Sequence, residues 1–144
     1  MTRGFKVVCS AMASRRKSQN ISALLELSWL AENFMPEQLA DKKCVPCRGG
    51  VPPLQGKALE ALHQVVPEWS VIDEHHITRE YKFPDFASAL EFVNRVGALA
   101  EEQGHHPDIL LAWGKAAVTL WTHKVDGLTE SDFIMAAKID RQQA

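Results

Sequence analysis

Between residues 56 and 142 the spacing of apolar positions switches repeatedly between the three-and-four step of a helix and the alternation of a strand. Ala58, Leu59, Leu62, Val65 and Val66 mark one face of a helix that stops at Pro67, whose ring nitrogen has no proton to donate to the helical ladder. Residues 69–72 and 77–83 are rich in β-branched and aromatic side chains, with the polar run 73–76 between them, and predict a hairpin. Pro84-Asp85 opens a second helix. Asp85 is a good N-cap, Phe86, Ala89, Leu90, Val93, Val96 and Leu99 form the buried stripe, and Gly104 supplies a left-handed cap. Residues 109–112 and 116–122 predict two more strands around a tight turn at Trp113-Gly114-Lys115, where glycine takes the positive φ. Thr129 and Asp132 have the spacing of a capping box, with Asp in place of the usual Glu or Gln, and open a last helix carrying Phe133, Ile134, Ala137 and Ile139.

The order α-β-β-α-β-β-α predicts an α+β domain: a four-stranded antiparallel sheet with three helices packed on one face, the other left for water, a partner or a ligand. In the fourth strand Ala116, Val118, Leu120 and Thr122 share one face, and Ala117, Thr119, Trp121 and His123 the other. Assigning Val118 and Leu120 to the helices puts His123 on the open side. No internal repeat defines a solenoid. The domain is expected to span residues 36–144. Residues 1–35 read as an N-terminal extension, either an organelle leader or a translated upstream extension without function. Five basic residues and no acid among the first 25 match transit-peptide composition, and Ile21, Leu24, Leu27, Leu30 and Phe34 recur at the spacing of a short amphipathic helix. Cys44-Val45-Pro46-Cys47, Gly49-Gly50 and Pro52-Pro53 hold too many breakers for a regular element and predict a loop leading into the domain.

Composition narrows the class. A chain of 144 residues with 46% hydrophobic content builds one core without disulfide staples. A formal charge of −2 provides no basic field for nucleic acid. The longest apolar runs fall far short of the roughly 20 residues a membrane span needs, so the expected protein is soluble and cytoplasmic, or plastid or mitochondrial if the leader is a genuine transit peptide. Three cysteines, an odd number, argue for a reducing compartment.

The candidate chemistry lies at the open end of the second hairpin. With a register centred on Gly114, position 105 falls opposite 123, and paired residues lie about 5 Å apart across strands. His105, His106 and His123 therefore converge. A histidine cluster can hold a proton donor and an acceptor at once near neutral pH, which is what a dehydration requires. A hydroxyl leaves readily once protonated, and a proton is removed from a neighbouring nitrogen as the double bond forms, with neither metal nor covalent intermediate.

Glu101, His105-His106-Pro107, Trp113, His123 and Asp132 together resemble the signature of the pterin-4a-carbinolamine dehydratases. The similarity runs through Gly104-His105-His106-Pro107-Asp108, Trp121-Thr122-His123, Gly127-Leu128-Thr129-Glu130 and Asp132-Phe133, covers residues 36–142, and departs mainly at Gly114, where many relatives carry Asn. The resemblance implies a hydro-lyase that converts 4a-hydroxytetrahydropterin, released by aromatic amino acid hydroxylases, to quinonoid dihydropterin and water. It implies no cofactor and no metal. By resemblance His105 and His123 are the acid and base, and His106 binds and orients the substrate near its 4a-hydroxyl. Glu101 and Asp132 orient imidazoles or hold the pterin, and Trp121 lines the pocket. A homodimer or homotetramer is expected, since the resemblance implies dimers of dimers and a four-stranded sheet leaves edges to pair, while the net charge and the short apolar runs argue against a nucleic-acid or membrane partner. The alternative from the same resemblance is a protein-binding scaffold, like a transcriptional dimerisation cofactor or a Rubisco assembly factor.

Plainer readings stand beside these. Three histidines and a carboxylate are also a set that binds zinc or iron, against which the resemblance speaks. Cys44 and Cys47 have the spacing of half a zinc site, but no second pair exists, so they read as a loop pair without essential chemistry. His75-His76 is a second dyad, with no third histidine to match, and reads as solvated surface among Asp73 and Glu74. Glu101 near a helix end reads as solvated, and Asp132 as a helix cap.

Overall fold

The computed structural model describes residues 36–45 and 50–143. Eight elements follow in order: α1 (Pro36–Asp41), α2 (Gly56–His63), β1 (Ser70–Ile72), β2 (His76–Lys82), α3 (Phe86–Gln103), β3 (Asp108–Ala112), β4 (Lys115–Leu120) and α4 (Glu130–Arg141). The strands form one antiparallel sheet in the order β1-β2-β4-β3. The α+β architecture and both hairpins are as the sequence predicts. The helix expected in the leader and Cys47 lie outside the described residues.

A fourth helix, α1, is an addition to the expected three. Its six residues are too few to show a period, and Leu39 and Ala40 are its only buried side chains. Tertiary contacts hold it to α4. Lys138 donates from Nζ to the Ala40 carbonyl at 2.8 Å, and Arg141 reaches both the Glu37 carbonyl at 2.7 Å and the Asp41 carboxylate at 2.9 Å. Lys138 thus meets the carbonyl end of a short helix, where a cation is most favourable.

The α2 helix is shorter than its apolar stripe suggested. Beyond His63 the amides of Val65 and Val66 bond three residues back, to Leu62 and His63, tightening the chain ahead of Pro67. The α3 helix begins where expected, with Asp85 accepting from the Ser88 amide at 2.7 Å, and ends at Gly104 with φ 63°. Its buried face is Ala89, Phe92, Val96 and Ala100, rotated from the predicted stripe so that Phe86 and Leu90 are exposed. The small alanines let the helix axis settle close to the sheet, and Phe92 fills the space between Tyr81 and Phe83.

Ala116, Val118 and Leu120 point into the core beneath the helices, as the alternation of β4 requires, with Phe92, Phe133 and Met135 among the fully buried side chains around them. Asp140 of α4 ties the helical layer to the sheet. It accepts from the Trp69 indole at 3.1 Å, the Tyr81 hydroxyl at 2.8 Å and the Arg79 guanidinium at 2.7 Å. Burial first, and then the neighbouring Asp140 charge, push the Tyr81 phenol well above its ordinary range. Among the described residues no helix is long and apolar enough to cross a membrane.

Candidate active site

At the end of α3 the chain turns through Gly104, where the Gly104 and His105 amides return to the Glu101 and Ala100 carbonyls. This sets His105 and His106 immediately ahead of β3. On the neighbouring strand β4 ends at Leu120 and the chain runs on through Trp121, Thr122 and His123 into a loop closed by a bridge between Thr122 and Gly127. Ala112 pairs with Lys115, leaving a two-residue turn of Trp113 and Gly114, with Gly114 at φ 68°. The register is therefore one residue from that expected for a turn centred on Gly114. Extended past the ladder, it sets His105 against Thr122 rather than His123.

That shift of one has a chemical consequence. Thr122 lies on the buried side of the strand, and its hydroxyl donates to Oδ2 of Asp132 at 2.9 Å. The same Oδ2 accepts from the Thr129 amide at 2.7 Å, which is the capping contact of α4. The other oxygen, Oδ1, accepts from Nε2 of His105 at 2.7 Å. One carboxylate, with no exposed surface, caps a helix with one oxygen and orients an imidazole with the other. A carboxylate saturated with donors can only accept, so the His105 proton resides on Nε2. His105 Nδ1 makes no hydrogen bond among the described residues.

The two other imidazoles are held more loosely. His106 Nε2 lies 2.9 Å from Glu101 Oε1, with both side chains mostly exposed, an arrangement that leaves the ring free to reorient. His123 is exposed and makes no side-chain hydrogen bond among the described residues; its ring lies 4.1 Å from that of Trp121, tilted by 39°. The Trp121 indole in turn donates to Asp108 at 3.2 Å. A cavity of about 280 Å³ opens among His105, His106, Trp121, Thr122, His123 and Lys124. All three predicted imidazoles and Trp121 line it, while Glu101 and Asp132 stand behind His106 and His105. Among the described residues no three or more His, Cys, Asp or Glu side chains are arranged to hold a metal ion. Cys44 is buried, with its thiol 3.6 Å from the Ser131 carbonyl, and it is not among the residues lining the cavity.

Two features escaped sequence reasoning. Thr122 was visible as a polar residue on the core face of a strand, a position that demands a hydrogen-bond partner. The second is His75-His76, expected to be solvated. Both rings are partly buried, and His76 belongs to β2, opposite Ile72. The His75 ring packs 4.7 Å from that of Trp121, so the dyad touches the rim of the site.

A small α+β domain with a solvent-open, histidine-lined cavity and a buried carboxylate behind one imidazole offers a concave, polar-lined site of a size for a small molecule. The sequence profile of the family described as Pterin 4 alpha carbinolamine dehydratase matches residues 52–142, and the chain belongs to that family of hydro-lyases. It is 62% identical over 104 residues to a Rubrobacter xylanophilus protein provisionally named pterin-4-alpha-carbinolamine dehydratase, spanning 72% of this chain and 97% of the relative. A Rickettsia bellii protein of the same name is 55% identical over 106 residues, spanning 73% of this chain and 94% of the relative. A crystal structure of a transcriptional coactivator/pterin dehydratase from Brucella melitensis superposes with a TM-score of 0.59 at 33% identity, covering 62% of this chain and 96% of the other.

Proposed function

We propose that this protein dehydrates 4a-hydroxytetrahydropterin to quinonoid dihydropterin and water, by histidine general acid-base catalysis, and so returns to use the pterin oxidised by aromatic amino acid hydroxylases. The observation that carries the reading is one cavity walled by three imidazoles, one of them locked in a single tautomer by a buried carboxylate.

The reaction breaks the C4a–O bond and the N5–H bond and forms the C4a=N5 double bond. An imidazolium gives its proton to the departing hydroxyl, which leaves as water, while a neutral imidazole takes the proton from N5. His105 and His123 divide these tasks. Asp132 holds His105 with Nδ1 toward substrate and stabilises its ring whenever it carries charge. His123, unencumbered by hydrogen bonds, exchanges protons with solvent and restores the starting protonation after each turnover. His106 orients the substrate near its 4a-hydroxyl, with Glu101 behind it, and Trp121 supplies an apolar wall for the pterin ring.

The test is stopped-flow observation of carbinolamine loss. Purified protein is expected to accelerate it over buffer, and His105→Ala and His123→Ala variants each to lose about 10²- to 10⁴-fold, the usual weight of a positioned acid or base. No acceleration by folded wild-type protein would sink the proposal.

A further inference from the structure

We infer that His75 is a positioning residue of this site, holding Trp121 and thereby the catalytic imidazole of His123 in place from outside the cavity. The inference rests on the proposed role of His123. His75 sits in the turn between β1 and β2, far from His123 in sequence, and is not among the side chains lining the cavity.

Two ties join that turn to the loop carrying His123. The first is a continuous stack of rings: His75 lies 4.7 Å from Trp121 at an interplanar angle of 42°, and Trp121 lies 4.1 Å from His123 at 39°. The indole is thus gripped between two imidazoles, with its nitrogen pinned by Asp108. The second tie is polar. His75 Nε2 donates to Oδ1 of Asp126 at 3.3 Å, and Asp126 lies three residues after His123, at φ 52°, with its amide directed at the His123 carbonyl. Asp126 is highly exposed, so this bond is the weaker tie and the ring stack the stronger.

The tautomers are consistent along the chain of contacts. Asp126 accepts, which places a proton on His75 Nε2. Neutral His75 then presents a lone pair at Nδ1, and His76 Nδ1, 3.2 Å away, donates to it. His76 fixes the rotation of the His75 ring, and His75 fixes the indole. An exposed His123 without hydrogen bonds of its own would otherwise sample several rotamers, only some of which face substrate.

Three variants of the full chain separate positioning from other roles. His75→Ala removes both ties, and His75→Phe keeps the stack and loses the polar one. Asp126→Asn keeps a residue tolerant of positive φ and weakens only the polar tie. For His75→Ala the expected result is a kcat lower by about tenfold with KM within about twofold and little change in melting temperature. His75→Phe should recover most of that kcat, and Asp126→Asn should stay close to wild type. In protein carrying ¹³C-labelled histidine, the His123 ring resonances should shift in His75→Ala and return toward wild type in His75→Phe. Unchanged kcat and unchanged His123 resonances in His75→Ala would overturn the inference. So would a KM that rises at constant kcat, which would make His75 a substrate contact, or a loss of melting temperature that His75→Phe does not repair. If wild-type protein shows no dehydratase activity, the proposed reaction fails, and the resonances alone still decide whether His75 positions His123.

Discussion

Replacing Asp132 with Asn changes one atom of nearly equal size and inverts one hydrogen-bonding role. In wild type the carboxylate faces donors on both sides: His105 Nε2 on Oδ1, and the Thr129 amide with the Thr122 hydroxyl on Oδ2. An amide offers one acceptor and one donor group. If its oxygen keeps the backbone amide, its NH₂ faces His105 and forces the ring into the other tautomer, with the proton on Nδ1. Should the oxygen keep His105 instead, the Thr129 amide meets another donor and loses its cap. Both arrangements lose charge-assisted bonds in a site with no exposure, each worth about 1.5–3 kcal/mol. A net loss of about 2–4 kcal/mol follows once one bond is partly replaced, which lowers the melting temperature by about 10–25 °C for a domain of this size. The protein should remain folded at 25 °C if its stability lies in the usual range of about 5–15 kcal/mol. The Thr129 backbone amide can only donate, whereas an imidazole can switch tautomer, so the first arrangement should prevail and activity should fall further than stability suggests, by about 10²- to 10⁴-fold in kcat, because the nitrogen presented to substrate then carries a proton. Stopped-flow turnover, melting by circular dichroism, and ¹⁵N shifts of the His105 ring read the three consequences separately. Folded Asp132→Asn protein with kcat within about threefold of wild type, or with His105 still protonated on Nε2, would refute the reasoning.

The Tyr81→Phe variant should be less stable by about 1.5–3 kcal/mol near neutral pH, because it removes a hydrogen bond to the Asp140 carboxylate. The Tyr81 phenol is raised in the folded state, so its contribution is complete below its unfolded pKa of about 10 and declines as pH climbs past that value. Denaturant midpoints of wild type and Tyr81→Phe should therefore converge in alkali, and a constant gap would contradict the assignment. The opposite sign applies to Asp85, whose carboxyl is held below its ordinary value by the Ser88 amide; wild type and Asp85→Ala should differ above about pH 4 and converge as acid protonates the cap. At Gly127 an added Cβ would stand 2.7 Å from Cβ of Pro53, so Gly127→Ala should destabilise by about 1–3 kcal/mol. Adding Pro53→Gly should recover part of that loss in thermal melts.

Much of the fold was readable because the informative elements are amphipathic and well punctuated. Asp85 and Gly104 bracket α3, and the alternation of β4 places Val118 and Leu120 correctly toward the helices. What could not be read is instructive in each case. Six residues of α1 carry no period, and its place depends on Lys138 and Arg141, about a hundred positions later in the chain. The stripe of α3 was misjudged because its apolar arc is broader than the face that packs. Only the sheet decides that Phe92 and the small Ala100, rather than Phe86 and Leu90, join Ala89 and Val96 inside. Local turn geometry settled the β3–β4 register at a two-residue turn, and one residue is enough to exchange His123 for Thr122 opposite His105.

That exchange separates the part of the site that was legible from the part that was not. The histidines belong to hairpin ends, and a hairpin brings its ends together whatever the detail of the turn, so their meeting could be foreseen from spacing. The difference in their surroundings depends on burial. His105 faces Thr122 and Asp132 on the protein side and is held by a carboxylate already committed to capping α4, whereas His123 projects outward and leans on Trp121. The cap and the proposed catalytic imidazole are thus coupled through one side chain. Any change that frays the first turn of α4 also releases the His105 tautomer, and Thr129→Ala, which leaves the Thr129 amide in place but removes its hydroxyl 3.1 Å from Oδ2, should cost activity through a residue that never meets substrate. The expected loss is in kcat with KM preserved, and a rise in KM at unchanged kcat would show that α4 and the imidazole are independent.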